Sequence, residues 1–283
     1  MAPIAGGGRS SLGRDCAAVA RKPMIRSPTP SMIAGCLGLA VMLLSAASAR
    51  AQTFDVKQLD VTQGALELGL DNTVQGGIKR RDDNRSAHDQ SLDYGVTNWW
   101  RLSGVIKLEN PIDEDFRIAR TSVENIWVLR PTPKDGGVGF GWFTSVEAST
   151  DRATTNSSQF GPIITVEVDK VTVTANPFFE KTFGRNREEG IALNYGWNAK
   201  YKLNDNLAIG AEGFGLIENL GDSQAASGQQ HRLGPALFAS IKLAEDFTIT
   251  PDIGLYFGLT EATPRLTLKF NVGVPLSQPA SAK

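Results

Sequence analysis

The stretch Phe247-Thr248-Ile249-Thr250-Pro251-Asp252-Ile253-Gly254-Leu255-Tyr256-Phe257-Gly258-Leu259 decides the fold. Its odd positions are apolar throughout, and its even positions are Thr, Asp, Gly and Tyr. Successive side chains of a strand face opposite sides, so this is an extended ribbon with one greasy face and one polar face. The following segment repeats the pattern, setting Leu266, Leu268, Phe270, Val272 and Val274 against Arg265, Thr267, Lys269, Asn271 and Gly273. Further back, Ile191, Leu193, Tyr195, Trp197, Ala199 and Tyr201 alternate with Ala192, Asn194, Gly196, Asn198, Lys200 and Lys202.

Working outward, the alternation predicts about twelve strands, near 64–75, 88–97, 99–109, 116–130, 137–148, 161–169, 170–179, 190–203, 206–217, 230–243, 246–259 and 263–274. No amphipathic helix intervenes. Within 116–130 the apolar parity changes, from Phe116 and Ile118 to Val123, Trp127 and Leu129, which predicts a bulge. Tight turns at Thr97-Asn98, Asp169-Lys170, Asn204-Asp205 and Ala244-Glu245 alternate with long polar segments such as 75–87, 149–160, 181–189 and 219–229. Short turns at one end and long loops at the other mark an antiparallel, up-and-down transmembrane β-barrel of the outer membrane. An even strand count puts both termini on the periplasmic side.

Strand length and charge separate this reading from a soluble sandwich. The strands are close to the ~9–11 residues needed to cross a bilayer at a tilt, against ~5–6 in soluble sheets. The polar face carries charge at mid-strand, in Arg101, Lys107, Glu147, Glu167, Glu212, Asp252 and Lys269. That suits a barrel with lipid outside and a polar lumen.

The first 51 residues read as a secretory signal. Arg21, Lys22 and Arg26 precede the apolar run Met32 to Leu44, and Ala47-Ser48-Ala49 and Ala49-Arg50-Ala51 both offer a cleavage site. Met24 is a second candidate start. Both cysteines, Cys16 and Cys36, fall in this segment, so the mature chain would contain no thiol. The domain reading is therefore 1–51 removed, 52–63 a periplasmic N-terminal segment, 64–274 the barrel and 275–283 a flexible tail. The whole chain has 29 Lys plus Arg and 30 Asp plus Glu, which removes the basic bias of a nucleic-acid binder. Residues 1–51 hold six of the bases and one of the acids, leaving a mildly acidic remainder of net charge −6.

Three segments resemble a known family: Tyr94-Gly95-Val96-Thr97-Asn98-Trp99-Trp100, Leu207-Ala208-Ile209-Gly210-Ala211-Glu212 and Leu233-Gly234-Pro235-Ala236-Leu237. They are similar to strand and turn segments of proteobacterial outer-membrane barrels grouped with the phenol-degradation MetA-pathway proteins. The resemblance spans roughly residues 54–274 and implies a barrel associated with small-solute passage. Members of the broad class commonly end in an aromatic residue read by the barrel assembly machinery. Here Phe270 is followed by a tail ending Pro279-Ala280-Ser281-Ala282-Lys283.

The candidate lumen residues are the bases Arg101, Lys107, Arg265 and Lys269 and the acids Glu147, Glu167, Glu212 and Asp252. Mixed signs suggest cross-strand ion pairs that either brace a filled interior or line a narrow passage, whereas a single-sign ring would have indicated ion selectivity. Twelve strands lie between the eight that enclose little more than side chains and the sixteen of an aqueous channel. Trp99, Trp100, Trp197, Tyr201, Phe247 and Phe257 are the candidate interface aromatics. His231 shares the parity of Leu233 and Leu237, facing lipid rather than a pocket, and neither it nor His88 has a partner at metal-ligand spacing. Glycine runs at 137–141 and 210–215 have no following helix to hold a phosphate, and instead permit curvature and close approach. The expectation is a passive channel for small polar or aromatic solutes in a Gram-negative outer membrane, in contact with its lipids. No catalytic group, metal or cofactor is expected. The alternatives are a closed surface-interaction barrel and, less favoured, a lipid hydrolase using His231.

Overall fold

The computed structural model describes residues 54–77, 84–111, 115–151, 155–244 and 247–277. The signal segment, the 79–83 loop charges, most of the Asp113–Asp115 acidic run, the Ala244-Glu245 turn beyond Ala244 and the last six residues lie outside the described residues.

Each apolar-alternating segment forms a strand. In order they are β1 (Leu66–Gly76), β2 (Asn84–Gly95), β3 (Trp100–Pro111), β4 (Arg117–Arg130), β5 (Gly137–Ser149) and β6 (Asn156–Val168). There follow β7 (Val171–Phe183), β8 (Ala192–Asn204), β9 (Leu207–Ile217), β10 (Gln230–Ala239), β11 (Ile241–Ala244), β12 (Phe247–Gly258) and β13 (Leu266–Ser277). Neighbours in sequence are antiparallel neighbours in space. Segments β10 and β11 flank Ser240 and form one stave, which pairs with β12 along its length. Pairing of β1 with β13 and of β10 with both β9 and β12 closes the sheet, so thirteen segments make a twelve-stave barrel with no free edge. A 3-10 turn, Ala226–Gly228, sits in the connection before β10.

The faces are inverted relative to a soluble protein. Val123, Val146, Phe257 and Leu268 point outward and are exposed, whereas Thr73, Thr174, Thr267 and Lys269 point inward and are buried. A water-soluble barrel would bury the first set and expose the second; lipid outside and an enclosed polar interior account for the reverse.

The parity change in β4 is a bulge at Ala119. Lys107 pairs with Arg120 and Leu108 with Ile118, leaving Ala119 without a partner on β3. The extra residue keeps Phe116, Ile118 and Val123 all on the lipid side while turning Arg120 and Glu124 inward.

The segment before β1 is not a periplasmic tail. Phe54 and Val56 pack against Phe214 of β9 and Tyr256 of β12, and Leu59 packs against Ile126, Val128, Phe143, Ile163 and Phe178 of β4 to β7. Only a segment inside the barrel can touch both of these walls, so residues 54–65 form a plug. The apolar residues Phe54, Val56 and Leu59 explain this placement, because each removes apolar surface from water by entering the lumen. The strands themselves run from Leu66 to Ser277, slightly later than the 64–274 expected.

Candidate functional site

The plug is held by its backbone as well as its side chains. It leaves the lumen at the turn end, where Gly64 N–H donates to Gly95 O (2.7 Å) and Gly95 N–H to Ala65 O (2.9 Å). A Cβ at Gly95 would lie 1.9 Å from Thr62 O, so the chain can turn inward here only past a glycine. Deeper in, Asn176 Nδ2 donates to Lys57 O (3.2 Å), Thr174 Oγ1 to Gln58 Oε1 (3.2 Å) and Asn271 Nδ2 to Phe54 O (3.3 Å). These three wall residues satisfy polar groups that an irregular buried segment would otherwise leave unpaired.

The glycine run in β5 is the seat of Leu59. Cβ atoms at Gly139 and Gly141 would meet the Leu59 methyls at 2.8 and 2.5 Å. Close approach, expected for these glycines from the sequence, is thus an approach to the plug. The stacked rings of Phe143 and Phe178, 4.4 Å between centroids, complete that seat.

Two networks of charge flank the plug. On one wall Glu147 receives Arg120 Nη1 on one oxygen and Lys107 Nζ on the other, both at 2.8 Å. Lys107 also approaches Asp89 at 3.9 Å, and Arg120 approaches Glu109 at 4.0 Å. On the opposite wall Lys269 Nζ lies 2.7 Å from both Glu212 and Asp252, and Tyr256 donates its hydroxyl to Glu212. Lys57 of the plug bridges Asp55 (3.2 Å) and Glu124 (3.0 Å). Enclosure disfavours the Lys57 charge, but Glu124 and Asp55 more than offset it and hold the ammonium well above the usual lysine range.

Of the eight candidate lumen residues, Lys107 and Glu147 meet in the first network, and Glu212, Asp252 and Lys269 meet in the second. Arg101 lies on the inward parity of β3, beside Ser103, and Glu167 on that of β6, beside Thr165 near the turn end. Arg265 precedes β13 and is exposed at the loop end, away from both networks. Sequence reasoning missed Arg120, Asp89, Glu109 and Glu124, and it missed Lys57 entirely. The inward parity of Asp89 and Glu109 was available as a signal; Arg120 and Glu124 were hidden by the bulge.

The outer aromatics fall into two groups. Trp99, Trp100, Tyr201 and Phe247 lie at the turn end of their strands and Phe257 at the loop end, as interface girdles would. Trp197 instead sits mid-strand, paired with Ala175 and Gly213, and its indole covers Gly213. A large aromatic laid over a cross-strand glycine fills a gap in the sheet, which is the role its position supports. Trp100, Trp127 and Trp142 are direct cross-strand partners on three adjacent strands, a row the sequence analysis did not single out.

His231 faces outward, its Nδ1 2.7 Å from the Tyr195 hydroxyl and its Nε2 3.0 Å from Gln229 Oε1. His88 is similarly engaged by Asn72 and Ser86. Among the described residues His231 contacts no serine hydroxyl; the Ser86 hydroxyl does lie 3.0 Å from His88 Nε2, two residues away on the same outer face of β2. Among the described residues no group of three or more His, Cys, Asp or Glu is placed to hold a metal ion.

A closed twelve-stave wall, apolar outside and charged within, defines an outer-membrane β-barrel. The solved structures agree with that fold. The barrel is similar to the COG4313 outer membrane channel from Pseudomonas putida F1, at 10% identity over 78% of this chain and 99% of that chain, with a TM-score of 0.53. Two others are a NanC porin (10% identity, 75% and 100% covered, TM-score 0.49) and a KdgM porin (14%, 75% and 99%, 0.46). No protein-family model matches the sequence, nor does any curated protein. The chain therefore shares the β-barrel fold of that outer membrane channel.

Proposed function

We propose that the chain is a passive outer-membrane channel for small solutes, narrowed by its own N-terminal segment. The observation that carries this reading is the pairing of a charged lumen with a plug that leaves space beside it. A cavity of about 130 Å³ remains between the plug and the wall, bordered by Phe54, Lys57, Asp71, Lys107, Glu124 and Glu147. A barrel built only as a scaffold gains nothing from keeping ionised groups around an unfilled space, since each buried charge carries a desolvation cost. A passage for hydrated solutes needs both.

The girdle aromatics set the barrel in outer-membrane lipid, and assembly by the barrel assembly machinery follows from the fold class. The resemblance of the 94–100, 207–212 and 233–237 segments to MetA-pathway barrels supports small polar or aromatic molecules as the solutes. The lumen networks around Glu147 and Lys269 brace the wall and set the width of the path.

Planar-bilayer recording tests the reading: purified protein should give small, discrete conductance steps, and liposomes carrying it should swell in small solutes. Complete absence of current and swelling would instead support a closed barrel acting through its outer loops.

A further inference from the structure

We infer that the cavity beside the plug binds small organic cations, primary ammonium ions above all, and that the channel selects for them. This rests in part on the channel reading above. The cavity is lined by six carboxylates, Asp55, Asp71, Asp89, Glu124, Glu147 and Glu180, against two cationic side chains, Lys57 and Lys107. Both lysines are spoken for: Lys57 by Glu124 and Asp55, Lys107 by Glu147 at 2.8 Å. Adding Arg120, which shares Glu147, still leaves acids in the majority. The whole barrel has mixed charge, but this compartment of it has one dominant sign, and a passage lined by one sign admits the other.

A second observation is independent of charge. Asn176 is 1% exposed and borders the same cavity. Its amide nitrogen donates to Lys57 O, which fixes the orientation of the group, and its Oδ1 has no hydrogen-bond partner among the described residues. A buried acceptor without a donor is costly, and a donor arriving in the cavity relieves it. An ammonium ion brings three N–H donors as well as the complementary charge. An anion brings neither.

The same lining favours an organic cation over a metal ion. The carboxylates are spread over the plug and several strands, and no group of three is close enough to clamp a metal among the described residues. Calcium needs six or more oxygens at short range. The stacked Phe143 and Phe178 rings and Phe214 add aromatic surface to the cavity, which suits a cation carrying an alkyl body.

The test uses n-butylammonium as the probe on the whole protein, with Asp89→Asn as the variant, since this change removes a carboxylate charge from the cavity beside Lys107 and preserves shape. In planar bilayers under a KCl gradient, the reversal potential should show K⁺ preferred over Cl⁻. n-Butylammonium should reduce the K⁺ current, and Asp89→Asn should weaken that block severalfold. Binding to detergent-solubilised protein, followed by calorimetry, should weaken in parallel. Binding without any current would uphold the site and overturn the channel. Current that is unselective or favours Cl⁻, with no n-butylammonium binding, would overturn the cation site and leave the channel standing. Binding of Ca²⁺ in preference to n-butylammonium would also overturn it.

Discussion

The guanidinium of Arg232 lies 4.1 Å from the centroid of the Phe54 ring. Arg232 comes from β10 and is itself fixed, donating to Thr267 Oγ1 at 3.0 Å and Gln230 Oε1 at 3.1 Å. Phe54 also packs against Phe214 at 5.1 Å and Tyr256 at 6.4 Å between centroids. The first described residue of the plug is thus gripped by a cation on one side and by two aromatic rings on others.

Phe54→Ala should release that end of the plug. Removing a fully buried aromatic costs about 3–5 kcal/mol, more than an irregular segment held by a few hydrogen bonds withstands. Single-channel steps should grow severalfold while the barrel itself stays folded. Unchanged steps would mean that the plug does not limit the path.

Lys269→Met should destabilise the barrel wall. It would leave Glu212 and Asp252 facing each other without their shared cation, in a region where Lys269 is 1% exposed. Breaking a buried pair in this way costs about 3–5 kcal/mol. The temperature at which the folded band converts to the unfolded one in semi-native gels should fall, and Glu212→Gln in the same chain should recover part of the loss.

Deleting Ala119 should be tolerated by the wall. The bulge is one extra residue between the pairs Leu108–Ile118 and Lys107–Arg120, so its removal restores regular alternation and leaves Phe116 and Ile118 facing lipid and Arg120 and Glu124 facing the lumen. Folded yield should stay close to that of the unaltered chain, whereas deleting Val123, which is paired on both sides, forces β4 residues onto the wrong face and should lower it sharply.

Acid should loosen the plug. Burial favours the neutral form of Asp55, but Lys57 beside it, together with Lys269 and Arg101, outweighs this and holds its carboxyl below the ordinary 3.8. A carboxyl lowered in the folded state contributes stability that is present above its unfolded pKa and lost as pH falls through the folded one. Lys57, raised in the folded state, keeps its contribution throughout the acid range. Step size should therefore stay constant from neutral pH to about pH 4 and rise below it. A rise already near neutrality would contradict the assignment.

The wall was legible in the sequence because a two-residue period admits one structure and lipid exposure keeps the period strict, as in Phe247 to Leu259. Even the irregularity in β4 showed as a parity change. The plug was not legible. Phe54, Val56 and Leu59 give too short and irregular a pattern to name a partner, and their partners lie far away in sequence on opposite walls. The one available signal was three large apolar residues in a segment read as a periplasmic N-terminal segment. Facing direction was readable for the lumen charges, but which charges meet depends on strand stagger, so the joining of Lys107, Arg120 and Glu147 appears only in three dimensions.

The described chain, with its thiols confined to residues 16 and 36, suits single-cysteine labelling of the strand faces. Spin labels placed singly at Ile164, Thr165, Val166 and Glu167 of β6, in protein reconstituted into liposomes, report which solvent each face meets. Labels at Ile164 and Val166 should relax with membrane-dissolved oxygen, and those at Thr165 and Glu167 should be shielded from it. The opposite pattern, or oxygen access without alternation, would contradict a barrel that turns its apolar face to lipid.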